Sequence, residues 1–289
     1  MSAPTMTTTF TGSPADPQLA RRLAVALDAI DAAAAATLRY FGDPSLAVTL
    51  KQDHSPVTEA DREAERILRD RLLEAFPEDG FLGEESGLAA GRSGFDWVVD
   101  PIDGTKSFIR GVPLFATLVG CRREGRGVIG VIAIPALGEL AYAAAGGGCW
   151  HARRNPADPA ALRGEPRAAR VSAVGSLAES LWCTSATTTF AKQGRDAARE
   201  RLDEACGLAR TWGDGYGYLL VATGRAELMV DAEMHPWDAA AVETVVREAG
   251  GRFTDWTGEE RIDGGCGLAT NGLIHEAALA ILHEPRRRS

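Results

Sequence analysis

Trp97-Val98-Val99-Asp100-Pro101-Ile102-Asp103-Gly104-Thr105 joins a short apolar run to two acids three positions apart. The run Trp97-Val98-Val99 reads as a strand. Pro101 fixes one φ angle and Asp103-Gly104 permits a tight turn, so the Asp100 and Asp103 side chains can converge on one point. Gly104 and Thr105 then offer free amides as a helix begins. Convergent carboxylates beside free amides suit a hard divalent cation with a bound phosphate.

Upstream of this stretch the periodicity is helical. Apolar positions Leu23, Leu27, Ile30, Ala34 and Leu38 predict a first helix over residues 19–41, ended by Gly42, Asp43 and Pro44. Thr58 is placed to cap a second helix over 59–76, which stops at Pro77-Glu78-Asp79-Gly80. Downstream, short apolar runs at 116–119, 128–134 and 140–145 read as strands. Residues 151–167, rich in Ala, Pro, Arg and Asp, read as a boundary or surface loop. After them strand and helix signals alternate, with strong helices at 195–206 and 237–249 and a last one near 274–282. The expected organisation is a mixed α/β protein: a flexible N-terminus (1–18), an N-terminal α+β subdomain (19–150) and a C-terminal α/β subdomain (151–289).

Two further segments set acids where a strand or loop meets a helix: Gly83-Glu84-Glu85-Ser86 and Trp237-Asp238-Ala239-Ala240. Each acidic segment also has a plain structural reading. Asp-Gly after Pro is ordinary turn chemistry, Asp238 suits a helix cap, and Glu84-Glu85 suits a solvated loop.

Composition narrows the classes. The 289 residues carry 31 Lys+Arg against 40 Asp+Glu, a net charge of -9, which argues against nucleic acid or anionic lipid as the main partner and favours a cation. The five cysteines are scattered and contain no Cys-x-x-Cys pair, so they form neither a disulfide framework nor a thiolate zinc site. Met1 to Gln18 has neither the basic nor the apolar region of a secretory signal, and no 18-residue uncharged apolar run is present, so a soluble cytoplasmic protein is expected. Gly125-Arg126-Gly127-Val128-Ile129-Gly130 matches the literal dinucleotide fingerprint but leads into a strand, and is set aside.

Taken together, the acidic segments resemble the inositol monophosphatase family. Residues 97–105 resemble its main signature, and Trp237-Asp238-Ala239-Ala240 with Glu248-Ala249-Gly250-Gly251 its second. Gly83-Glu84-Glu85-Ser86 resembles its acidic loop, and Lys51 with Thr58-Glu59-Ala60-Asp61 its N-terminal metal-loop region, Lys51 standing for the mobile loop. The resemblance runs from about Leu19 to Leu282. It implies a layered α/β/α/β/α fold, a homodimer and Mg²⁺-dependent hydrolysis of a small phosphate monoester, with two or three ions per site and Mn²⁺ as the alternative. By position, Glu84, Asp100 and the carbonyl of Ile102 would hold one ion, and Asp100, Asp103 and Asp238 a second. Four carboxylates and an ester dianion of about -2 repel one another without cations. Thr105 and Asp61 resemble the pair that orients the attacking water, with Glu84 as a further catalytic residue. Thr58 and Asp61 also have capping-box spacing, so Asp61 has a second available role.

The substrate contacts implied are Asp103, Gly104, Thr105 and Asp238, with Gly213-Asp214-Gly215 and Asp231. Gly-Asp at 213–214 resembles the histidinol-phosphate phosphatase branch, because two extra carboxylates suit the ammonium of an aminoalcohol ester better than a neutral polyol. An inositol-1-monophosphatase, a broad-specificity monoesterase and an inactive binding homologue are the alternatives. Asp214 also suits a cap for the helix expected near Tyr216, and Trp212 and Tyr216 suit either packing or the flanks of an imidazole ring. A haloacid-dehalogenase-type phosphatase would place its two acids two residues apart near the N-terminus, unlike Asp100 and Asp103.

Overall fold

The computed structural model describes residues 14–51, 53, 55–153 and 164–283. Most of the expected flexible N-terminus, residues 1–13, lies outside these. Two helices, α1 (Pro17–Tyr40) and α2 (Glu59–Ala75), flank a hairpin of β1 (Val48–Leu50) and β2 (Pro56–Thr58). Then come β3 (Gly80–Gly83), β4 (Gly87–Ala89), β5 (Phe95–Asp103), the single turn α3 (Thr105–Phe108), β6 (Ala116–Arg123), β7 (Arg126–Ile134), β8 (Glu139–Ala144) and β9 (Gly148–Arg153). The remainder runs β10 (Arg167–Ala169), β11 (Leu181–Cys183), α4 (Thr187–Lys192), α5 (Asp196–Ala205), β12 (Leu208–Arg210), α6 (Gly215–Ala222) and β13 (Leu228–Asp231). It ends with α7 (Pro236–Glu248), β14 (Arg252–Thr254), β15 (Gly267–Thr270) and α8 (His275–His283).

Eight strands form one sheet in the order β10-β9-β8-β7-β6-β5-β3-β4, and five form a second in the order β12-β11-β13-β15-β14. Strand alternation distributes the core between layers. Trp97 and Val99 face α1 and α2, where Leu23, Leu27, Ile30, Leu68 and Leu72 repeat at helical spacing. Val98, Leu118 and Ile132 point the other way, into a layer of α6 and α7 that also covers Met229, Phe253 and Ala269 of the second sheet. The far face of that sheet, Trp182, Leu228 and Leu268, is closed by α5 and α8 through Leu202, Ala278 and Leu282. The result is the five-layer α/β/α/β/α order that the resemblance implied.

α7 lies close on the large sheet because both surfaces are pared down. A Cβ on Gly130 would stand 2.2 Å from the Ala241 carbonyl oxygen, and one on Gly120 would stand 2.8 Å from Ala240, so only glycine fits beneath this run of alanines. That approach carries Asp238, in the first turn of α7, over the ends of β5 and β6.

The structure departs from the expected elements in several places. β5 does not stop at Val99 but continues through Asp103, with a register shift against β6 between Asp100 and Asp103. The helix expected after Gly104 is only one turn. β3 and β4 arise where no element was expected, because Gly80-Phe81-Leu82-Gly83 is too short and glycine-bounded to read as a strand, yet it is buried in parallel register beside β5. The expected division at 150/151 falls inside β9, and the supposed boundary loop begins and ends in the paired strands β9 and β10; its residues 154–163 lie outside those described. The Gly125–Gly130 stretch forms the β6–β7 turn and the start of β7, with Gly125 at φ 81°.

Candidate active site

The acids collect where parallel strands end, the usual place for a site in open α/β sheets. β3 and β5 are parallel neighbours in the large sheet, and Glu84 and Asp100 emerge at or near their carboxyl ends. In the second sheet β12, β11 and β13 are parallel neighbours, and Trp212 to Asp214, Ser185 and Asp231 stand at theirs.

One carboxylate oxygen each from Asp100, Asp103 and Asp238 can be chosen so that all lie within 4.8 Å of one another. Each acid is held by one main-chain donor. Ile102 N–H donates to Asp100 at 3.0 Å, Gly215 N–H to Asp103 Oδ2 at 2.5 Å, and His235 N–H to Asp238 Oδ2 at 2.8 Å. The last bond is a capping interaction, so Asp238 caps α7 with one oxygen and still joins the cluster. Glu84 stands outside the triad at its rim, within hydrogen-bonding contact of Asp100 and ion-paired to Lys51 at 2.7 Å. Lys51 also pairs with Glu85; burial opposes its charge, but the two glutamates hold the ammonium more firmly protonated than usual. Glu65 on α2, which the sequence reading missed, shapes this loop: its buried carboxylate accepts from the Glu85 and Ser86 amides, both at 2.7 Å.

The electrostatics are those of a cation site. Burial, then the neighbouring Glu84, Asp103 and Asp238, pushes Asp100 well above the usual carboxylate range; burial, then Asp214 and Asp238, does the same to Asp103. Asp238 is pushed up to about 6 by burial, against the lowering bond from His235. A set of desolvated acids made only of oxygen donors matches hard divalent ions, whose charge would restore all of them to the ionised form. The Ile102 carbonyl, also expected as a ligand, accepts from Thr105 Oγ1 at 3.0 Å and keeps a second lone pair.

Asp61 makes the cap that its spacing suggested and also reaches Thr105. It is completely buried; its Oδ2 accepts from Thr58 N–H at 2.8 Å and Thr58 Oγ1 at 2.6 Å, closing the α2 capping box, while Oδ1 lies 3.3 Å from Thr105 Oγ1. The cap and the Thr105 contact use different oxygens.

The expected substrate residues separate into two kinds. Asp214 occupies the cap position of α6 but makes no side-chain cap bond. Its backbone has φ 52° and ψ -158°, a conformation that costs a non-glycine residue about 1–3 kcal/mol. Its carboxylate rests against Gly104: a Cβ there, already at φ 87°, would meet Asp214 Oδ2 at 2.6 Å. Burial, then Asp231 and Asp238, brings Asp214 up to about 7. Asp231 differs from the expectation of a substrate contact. It is 5% exposed and its carboxylate is already taken by Ser185 N–H (2.8 Å), Ser185 Oγ (3.0 Å), Tyr218 OH (3.0 Å) and Thr184 Oγ1 (3.2 Å). Ser185 and Tyr218 were not singled out in the sequence; the position of Ser185 two residues past a strand was the available signal. At the mouth, Trp212 is exposed beside Asp214 with the Arg210 guanidinium over its ring, and exposed His235 stacks on Trp237 at 5.0 Å and 19°.

The five-layer frame brings carboxylates from β5 and α7 to one point that could hold a metal ion, and the comparisons define the chain as a phosphatase of a metal-dependent family. It belongs to the inositol monophosphatase family, whose model matches residues 18–287. It is 41% identical over 268 residues to a Chlorobaculum parvum histidinol-phosphatase, covering 92% of this chain and 98% of that one. It is 33% identical to a Rhizobium meliloti inositol-1-monophosphatase, covering 91% and 96%. Among solved structures, extragenic suppressor protein suhB of Bartonella henselae superposes with a TM-score of 0.81 at 30% identity, covering 91% of this chain and 98% of that chain.

Proposed function

We propose that this phosphatase hydrolyses L-histidinol phosphate to L-histidinol and phosphate. The observation that carries the reading is Asp214: a half-buried carboxylate beside the acidic cluster, held in a strained backbone, making no cap bond, with Lys106 as a nearby positive charge but no ion pair to it among the described residues. An ammonium on the substrate would supply that cation and return the raised Asp214 to the ionised form. The 41% identity to a histidinol-phosphatase, against 33% to an inositol-1-monophosphatase, supports the same choice.

Asp100, Asp103 and Asp238, with Glu84 and the Ile102 carbonyl, would hold divalent ions. When bound, such ions supply Lewis acidity, an acidified water and charge neutralisation at the leaving oxygen. The chain's own part is positioning, which is most of what phosphoryl transfer demands. Asp61 Oδ1 and Thr105 Oγ1 face each other at 3.3 Å and can share the protons of a water placed for in-line attack. Because Thr58 occupies Oδ2, Asp61 cannot rotate away from that task. Asp214 would grip the ammonium end of the ester, and Trp212 offers a ring face to its imidazole. The reading takes Mg²⁺ as the ion, a homodimer as the assembly and the cytoplasm as the compartment, on the resemblance of the sequence.

The test compares kcat/KM for histidinol phosphate and inositol 1-phosphate with Mg²⁺ present, since that ratio measures transition-state discrimination directly. A higher value for histidinol phosphate is expected; a higher value for inositol 1-phosphate overturns the reading.

A further inference from the structure

The unusual backbone at Asp214 needs something to hold it, and one side chain is placed to do so. Ser185 Oγ accepts the Asp214 N–H at 2.8 Å and lies 3.0 Å from Asp231 Oδ2. An amide only donates and a carboxylate only accepts, so a Ser185 lone pair faces the Asp214 N–H and its single proton serves a carboxylate, that of Asp231 or that of Asp214, which Ser185 also reaches. Asp231 is itself immobile, because Tyr218, Thr184 and the Ser185 amide occupy its other acceptor positions. Contact is close on both sides of Asp214. A Cβ on Gly213 would stand 2.0 Å from Ser185 Cα, and the Gly215 N–H is held by Asp103.

We propose that Ser185 is the positioning residue for substrate choice: it ties Asp214 to the fixed carboxylate of Asp231 and so aims the Asp214 carboxylate at the ammonium of the ester. Ser185 need not touch substrate. This rests on the proposed preference for an aminoalcohol phosphate. It also gives Asp231, buried and already saturated, an effect on selectivity through Ser185 and Asp214.

The experiment measures kcat and KM of the Mg²⁺-supplied full chain for histidinol phosphate and for glycerol 2-phosphate, which has no amine. In Ser185→Ala the ratio of the two kcat/KM values is expected to fall about tenfold, mainly through KM for histidinol phosphate, as for loss of one hydrogen bond that aims a charge. Ser185→Thr, which keeps the hydroxyl, is expected to retain the ratio. Asp231→Asn provides a second route if Ser185→Ala does not fold: its amide would donate towards Ser185 Oγ, reverse that bond and lower the ratio too. An unchanged ratio in Ser185→Ala, or, should that variant not fold, in Asp231→Asn, overturns the inference, as does an equal loss in Ser185→Thr. If the parent discriminates and Asp214→Asn abolishes this while Ser185→Ala does not, the inference alone fails. If the parent shows no preference for histidinol phosphate, the proposed substrate fails first.

Discussion

The Asp103 carboxylate, carried by the large sheet, accepts the Gly215 amide at the start of α6 at 2.5 Å, so the acidic cluster and the segment bearing Asp214 are joined by one bond. Its other oxygen is free to serve an ion. Asp103→Asn keeps the shape and can still accept from Gly215, but removes the charge. Activity is expected to fall by at least about 10²-fold, the scale of displacing a catalytic metal. Because Asp103 is an acid crowded by other acids without an ion, the variant should melt no lower than the parent in chelator, while the rise in melting temperature produced by Mg²⁺ should shrink. Thermal melts with and without Mg²⁺, beside steady-state rates, check this; near-normal turnover removes Asp103 from the metal site.

Asp61 divides its two oxygens between the Thr58 cap and Thr105, and substitutions can separate the cap from the proposed chemistry. Asp61→Asn can present its carbonyl oxygen to Thr58 and its amide to Thr105, keeping the cap while losing the acceptor. It should lose about 10²-fold or more in kcat, in the range of general acid–base contributions, with little change in stability. Thr58→Ala should instead cost about 1 kcal/mol of stability through the lost cap, or about 2–4 °C. Equal melting losses in the two variants would mean that Asp61 acts only as a cap.

Acid should unfold the protein through groups far from the site. Glu139 is buried between His151 Nε2 at 2.7 Å, Arg153 at 3.1 Å and Arg225; burial opposes its charge, but these partners bring it down to about 2 from 4.5. Its contribution is therefore complete above about pH 4.5 and lost as pH falls towards 2, because the unfolded chain takes up the proton first. His275, buried between Thr254 and Thr270, is pulled down to about 4 from 6.5 by burial, so neutral His275 adds stability that is lost between those values on acidification. Without an ion the raised site acids, Asp214 at about 7 and Asp238 at about 6, act in the opposite sense to His275 as pH falls towards 4, so the decline in melting temperature is expected below about pH 4.5, and Glu139→Gln should flatten it. An unaltered profile in that variant would exclude Glu139 as a source.

Gly130→Ala places a methyl group against the main chain of α7. Overpacking of this kind costs about 1–3 kcal/mol, and α7 can relieve it only by lifting Asp238 from the cluster. Lower stability together with a weaker Mg²⁺ response in melts is expected. Gly111→Ala, at φ 68° but with open space around it, should lose stability without the Mg²⁺ effect.

Much was legible because the relevant physics is local. The helical spacing of Leu23, Leu27 and Ile30, the alternation around Trp97 and Val99, and the joining of an apolar run to Asp100-Pro101-Ile102-Asp103 each depend on neighbours in the chain, and from these came the two leading helices, the central strands and the acids that meet. What the tertiary structure alone decided depends on residues far apart. β3 is a strand because β5 and β4 lie on either side of it. Glu65 shapes the acidic loop from 20 residues away. Asp231 and Asp214 look equivalent as acidic letters, yet one is saturated by four donors and the other held strained against Gly104. That difference is set by hydrogen bonds from Ser185, Thr184 and Tyr218, which form only once the parallel strands bring their ends together, and composition or spacing carries no record of them.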